Sequence, residues 1–273
     1  MKHSVIVAGL SFLSLVGSSV GFAGNNPCGD VPGHEAKNGG GFVADTATVA
    51  DTAFIAKTAH VCARARVLEN AQILQNAIID DDAVVFGNAT IDNTSVVQDH
   101  AQVSGFAYVN LNAMIKDHAR VYGGDKDHHP HIIGPTSIQD NALVHDAPWI
   151  KGYSVVGDSA QVFGAAYVQG HASIRGNAVI ADTRPVIANM HNTLIDGHAQ
   201  ISGSANISQG ASVMDYAKVG GSAMVWGDLT TVGSTAVIDG KAKVYGKSNV
   251  TGNAHITGTA KLSNDVVTKG TKN

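Results

Sequence analysis

A chain of 273 residues with 31 glycines, 6 prolines and 5% aromatic residues suits a narrow solenoid packed with Ala, Val and Ile, not a globule with one bulky core. Its net charge of −4 is close to neutral for this length and excludes the basic footprint of a nucleic-acid-binding protein. Thirteen histidines, by contrast, exceed what a passive rod needs.

In chain order, residues 1–23 read as a secretory signal. Lys2 and His3 form a short basic start, Val5 to Val16 is mostly apolar, and Gly21-Phe22-Ala23 offers a cleavage site of small residues. A membrane anchor is the alternative, but the apolar run is too short to span comfortably. A secreted or periplasmic location would let the two cysteines, Cys28 and Cys62, pair as a disulfide. The bridge would pin a Gly-rich N-terminal cap, residues 24–42, over the segment that begins at Val43, and its loop contributes about 3–4 kcal/mol in the chain-entropy model. A reactive thiol pair is the other reading.

From Val43 to Val121 an aliphatic residue recurs every sixth position, with Ala or Ser two places before each one after the first, as in Ala83-Val84-Val85. A helix, with its period of 3.6, cannot keep such residues on one face. Six residues instead make one short strand and one corner, the hexapeptide form of a parallel β-helix. Gly, Asn and Asp are frequent between the strands, where corners demand unusual backbone angles. The repeat slips at Tyr122–His131, again at Ile187–Leu194, and by one residue near Trp226–Thr231. Between the slips it continues to Leu262, for a total of 36 hexads. The β-helix is expected over 43–268, with a polar tail, 269–273, after it.

These hexads resemble the hexapeptide-repeat superfamily. The resemblance implies a single-chain, all-β, left-handed parallel β-helix of about twelve three-hexad coils, here with two protruding loops. The handedness comes from the resemblance, since generic parallel connections are right-handed. A narrower likeness joins Ile138–His145 and Gly170-His171 to the zinc-binding stretches of γ-class carbonic anhydrases. Gly176 stands where their next ligand would be, which argues against zinc hydration.

With three hexads per coil, residues eighteen apart stack. The middle residue of each Ala-x-Val points outward, and counting from Val43 sorts these into three faces. Face one presents His60, Ile78, Val96, Met114, Ser137, Val155 and Ser173, of which the aliphatic Ile78, Val96 and Met114 fit a protein interface or homotrimer contact. Face two presents Arg66, Arg120, Leu143, Gln161, Val179 and Gln200. Face three presents Phe54, Gln72, Thr90, Tyr108, His131, Trp149, Tyr167 and Pro185, so the chain's scarce rings are concentrated there. The loops are expected to leave the two opposite corners of face three and wall a groove. Tyr108, Trp149, Lys151, Tyr167, Arg184 and His191 would bind substrate in it.

Export, a ring strip and flanking loops together predict binding of an extended, acidic polysaccharide, and cleavage of it by β-elimination. That reaction needs a base, an acid and a cation to neutralise the uronate carboxylate. His129, His131 and His145 are candidate bases, Tyr122 (with Tyr108 and Tyr167) a candidate acid, and Arg120 (with Lys151 and Arg184) a candidate cation. A divalent metal at His128, His129 and His131 is a further expectation. The alternatives are a non-catalytic structural or adhesive rod, or a metal-dependent enzyme of carbonic-anhydrase type.

Overall fold

The computed structural model describes residues 26–184 and 191–273. The signal segment, 1–23, and Pro185, Val186 and Ile187 lie outside the described residues. Three parallel sheets of short strands wind into a triangular β-helix of about twelve coils. A strand's partner is usually eighteen residues away, as Thr90 opposite Tyr108 and Gln102 opposite Arg120. Among the described residues no helix is long and apolar enough to cross a membrane.

The hexad explains each part of a coil. The aliphatic residue and the Ala before it are buried throughout, from Ile55 and Ala59 to Ile256. Stacked at about 4.8 Å per coil, they give a core one side chain thick. Two places after the aliphatic residue the backbone takes a positive φ, as at Asp99 (59°), Gly105 (67°) and Asp117 (60°). Gly, Asp and Asn tolerate that region best, which is why they recur there.

One corner turns this requirement into a ladder. Asp99 N–H donates to Asp81, Asp117 to Asp99, Asp140 to Asp117, Asp158 to Asp140, and Gly176 to Asp158, at 2.8–3.3 Å. Each carboxylate thus satisfies an amide of the next coil. Where Ala is replaced in the core, the hydroxyl finds a carbonyl: Thr136 bonds to Ile133 and Gly152, Thr230 to Trp226 and Gly246, Ser248 to Tyr245. Ser95 is the exception, its hydroxyl buried without a partner among the described residues.

A disulfide joins Cys28 to Cys62, with Cα atoms 5.2 Å apart; such bonds persist in oxidising compartments. It ties down the lead-in, whose strand Gly33–Glu35 runs antiparallel to Phe42–Ala44 and covers the first coil.

The face assignment holds through Tyr167 and Val179 and then changes. Opposite Tyr167 stands Leu194, not Pro185, and Gln200 pairs with Ser173 on face one, not with face two. The second loop runs from the end of strand Val179–Asp182 to strand Leu194–Ile195. It therefore replaces the corner between faces two and three. The first loop, between Arg120–Tyr122 and His131–Ile133, leaves that same corner. So does the short insertion between Met224–Trp226 and Thr231–Val232. All three departures from the hexad thus lie on one edge of the prism, and the loops do not face each other across face three. At the far end, Thr271–Lys272 pairs with His255–Ile256, so the ladder reaches into the stretch expected to be a free tail.

Candidate functional site

Face three carries Tyr108, His131, Trp149 and Tyr167 on four adjacent strands. Strand registry alone brings them together, because each is the outward residue of its hexad. His131 stacks on Trp149 with centroids 4.1 Å apart, Trp149 lies parallel to Tyr167 at 6.2 Å, and Tyr108 meets His131 edge-on at 5.9 Å. Parallel rings this close overlap like shingles. They cover part of one another's faces.

Burial pushes the His131 imidazole below its ordinary pKa, and the neighbouring His129 lowers it further. It is therefore neutral at pH 7. Burial and the charge of Asp92 push the Tyr108 phenol up, against a bond from Asn110, and keep it protonated. A neutral imidazole and a protonated phenol sit side by side.

The strip ends in a cleft of 460 Å³ lined by Lys151, Tyr167, Gln169, His191, Asn192, Leu194 and Ser212. Gln169 donates to Asp196 at 2.7 Å, which fixes its amide. No carboxylate among the described residues lies within ion-pair distance of the Lys151 ammonium. The wall is the returning part of the second loop, and a buried network holds it. Asp182, 3% exposed, accepts from Arg184 Nε at 2.9 Å and Nη2 at 2.8 Å, and from the Thr193 amide at 2.7 Å. Asp228, from the short insertion near Trp226, accepts from the His191 amide at 3.0 Å and lies 3.8 Å from Arg184. Arg184 also donates to the His191 carbonyl. Two departures from the repeat are thereby welded into one wall. Arg184, expected to hold a substrate carboxylate, instead has its charge matched within the protein.

The other candidates do not converge. Arg120, Tyr122 and His145 belong to face two. Tyr122, His145 and Phe163 form a stack with centroids 5.1 and 4.7 Å apart, and His145 faces Asp146 at 3.2 Å. His129 packs on His131 at 4.5 Å, with its Nδ1 buried and without a partner among the described residues. His128 points away to Asp125 at 3.3 Å. Among the described residues no group of three His, Cys, Asp or Glu side chains is arranged to hold a metal ion. The metal expected at His128, His129 and His131 has no ligand set, because one ring serves the loop turn while two stack on the sheet.

The carbonic-anhydrase likeness fails for a backbone reason. His145 ends a strand of face two, whereas His171 stands at the corner between faces three and one. Gly176 has φ +72°, and a Cβ there would lie 2.5 Å from the Gly203 carbonyl oxygen. A histidine ligand does not fit that corner.

The hexad count passed over two further stacks. Tyr153, His171, His198 and Tyr216 form a four-ring ladder at the corner between faces three and one, with centroids 4.8–4.9 Å apart. Trp226 and Tyr245 stack at 4.6 Å at the ends of adjacent face-two strands. Corner positions three places after the aliphatic residue repeat as strictly as the outward ones, so tabulating that column would have revealed the first ladder.

Compared with known proteins, the chain matches no family model, and comparisons with curated proteins and with solved structures find no match.

Proposed function

We propose that the protein is an exported rod that binds an extended acidic polysaccharide along face three. The carrying observation is the ring strip Tyr108–His131–Trp149–Tyr167 running into a cleft where Lys151, without an ion-pair partner among the described residues, meets Gln169, His191 and Asn192. Ring edges and side-chain amides would donate to sugar hydroxyls, and the coil rise is similar to the advance of one sugar in an extended chain. Lys151 supports a preference for acidic sugars, since a cation without a partner gains most from a carboxylate. The disulfide and the expected signal segment support export to the periplasm or beyond.

The test is affinity for a polyuronate and for a neutral polysaccharide, measured by calorimetry on wild type, Lys151→Ala and the Trp149→Ala/Tyr167→Ala pair. Loss of the ammonium should weaken polyuronate binding about fivefold, roughly 1 kcal/mol for an exposed charge-assisted bond. Neutral-polymer binding should hold. The ring pair should abolish both while the melting temperature stays within a few degrees. Unchanged binding in both variants would end this reading.

A catalytic extension rests on one observation: His131 and Tyr108 hold the protonation states of a base and an acid on adjacent strands. In β-elimination His131 would take the C5 proton, Tyr108 would protonate the leaving oxygen, and Lys151 would neutralise the carboxylate. Ultraviolet absorbance of the unsaturated uronate product, lost in His131→Ala, is the assay. Absence of product across a panel of polyuronates leaves binding alone.

A further inference from the structure

At the corner between faces one and two, His100 and His118 stack with centroids 5.0 Å apart and planes within 6°. Next to them Gln102 and Arg120 occupy adjacent strands of face two, and Asn141 stands one coil further on. These five polar side chains line a depression of 620 Å³. Three other cations along this corner are matched within the protein. Arg64 grips Asp82 through two bonds of 2.7 Å, Lys116 lies 3.4 Å from Asp117, and Arg175 lies 3.5 Å from Asp140. Arg120 has no such partner among the described residues, and neither Gln102 nor Asn141 has its amide engaged by another side chain there.

We propose that this depression is a second ligand site, which takes the carboxylate of an acidic sugar. The Arg120 guanidinium offers a planar fork that suits a carboxylate. Stacking holds the two imidazole planes parallel beside the opening, and the Gln102 and Asn141 amides can donate to the ring hydroxyls. The neighbouring carboxylates limit the charge the site accepts. Asp99, Asp117 and Asp140 precede His100, His118 and Asn141 in sequence, and Asp82 lies 3.9 Å from His100. A ligand with one negative charge is matched by Arg120, whereas a dianion would meet these aspartates. The site lies on a different face from the Trp149–Tyr167 strip and does not depend on it.

The experiment tracks the imidazole resonances of the full chain by NMR during titration with glucuronate, glucose and inorganic phosphate near neutral pH. Glucuronate should shift His100 and His118 saturably, with a Kd of about millimolar as befits a shallow site. Glucose should leave them in place, and phosphate should bind more weakly than glucuronate. Arg120→Ala should weaken glucuronate binding at least about tenfold, with the His171 and His198 resonances unmoved as evidence of an intact fold. The Trp149→Ala/Tyr167→Ala variant should titrate like wild type. The proposal is overturned if glucuronate causes no saturable shift, if Arg120→Ala responds like wild type, or if phosphate binds more tightly. Loss of the response in the face-three variant would overturn it too, by tracing the shift to the other site.

Discussion

Substituting Asp182 by Asn tests what holds the wall of the face-three cleft. The carboxylate is almost wholly buried, takes two bonds from Arg184 and a third from the Thr193 amide at 2.7 Å. Removing one partner of a buried ion pair costs about 3–5 kcal/mol; Arg184 keeps some solvent contact and has Asp228 at 3.8 Å, so about 2–3 kcal/mol is expected here. For a chain of this size that corresponds to a fall in melting temperature of roughly 4–12 °C. Burial pushes the Asp182 carboxyl up, but the bonds from Arg184 and Thr193 outweigh it and leave the group below the usual carboxylate range. A depressed folded-state pKa stabilises fully above the unfolded value, about 3.9, and the contribution disappears as pH falls through the folded value. The stability gap between wild type and Asp182→Asn should therefore be constant near neutrality and close in acid. Circular-dichroism melts from neutral to acid pH measure the gap. Amide exchange at Thr193 and at Gly210, whose N–H donates to the Thr193 hydroxyl, locates it. A variant that melts within a degree of wild type, with both amides still protected, would refute the assignment of Asp182 as the wall's anchor.

Gly105→Ala places a methyl 1.8 Å from the Gly123 carbonyl oxygen at a φ of +67°, so the chain should lose much of its soluble yield or fall by more than about 3 kcal/mol in a urea titration. Ile150→Ala empties a fully buried ladder position and should cost about 2–5 kcal/mol, read by the same titration. Replacing Cys28 and Cys62 by Ser should lower stability by about 3–4 kcal/mol, with faster exchange confined to the first coils. Exchange that rises uniformly along the rod would contradict the near-neighbour character of the fold.

Much of the architecture was legible in the sequence because a solenoid is local. Each hexad names its own buried pair, its outward residue and its corner. Val61, Ala65 and Val67 therefore announce their places without reference to distant residues, and Tyr108, Trp149 and Tyr167 fall on one face by counting. The count failed at the loops, where local rules stop. Outward-then-aliphatic order does not say which corner the loop after Asp182 replaces, since Pro185-Val186 and Leu194-Ile195 share it. Only pairing with the coil beneath selected Leu194. The missed cue was Thr193, a small residue two places before Ile195.

Periodicity determined that the chain is a hexapeptide parallel β-helix, because burying one aliphatic side chain per hexad leaves no other repeat; three faces, about twelve coils and a ring strip on one face follow once the resemblance supplies three hexads per coil. The tertiary structure decided that the insertions share one edge and that Asp182 and Asp228 claim Arg184. Those outcomes depend on contacts between coils of different length. Such contacts are set by how each loop closes against its neighbour, which a repeat cannot encode.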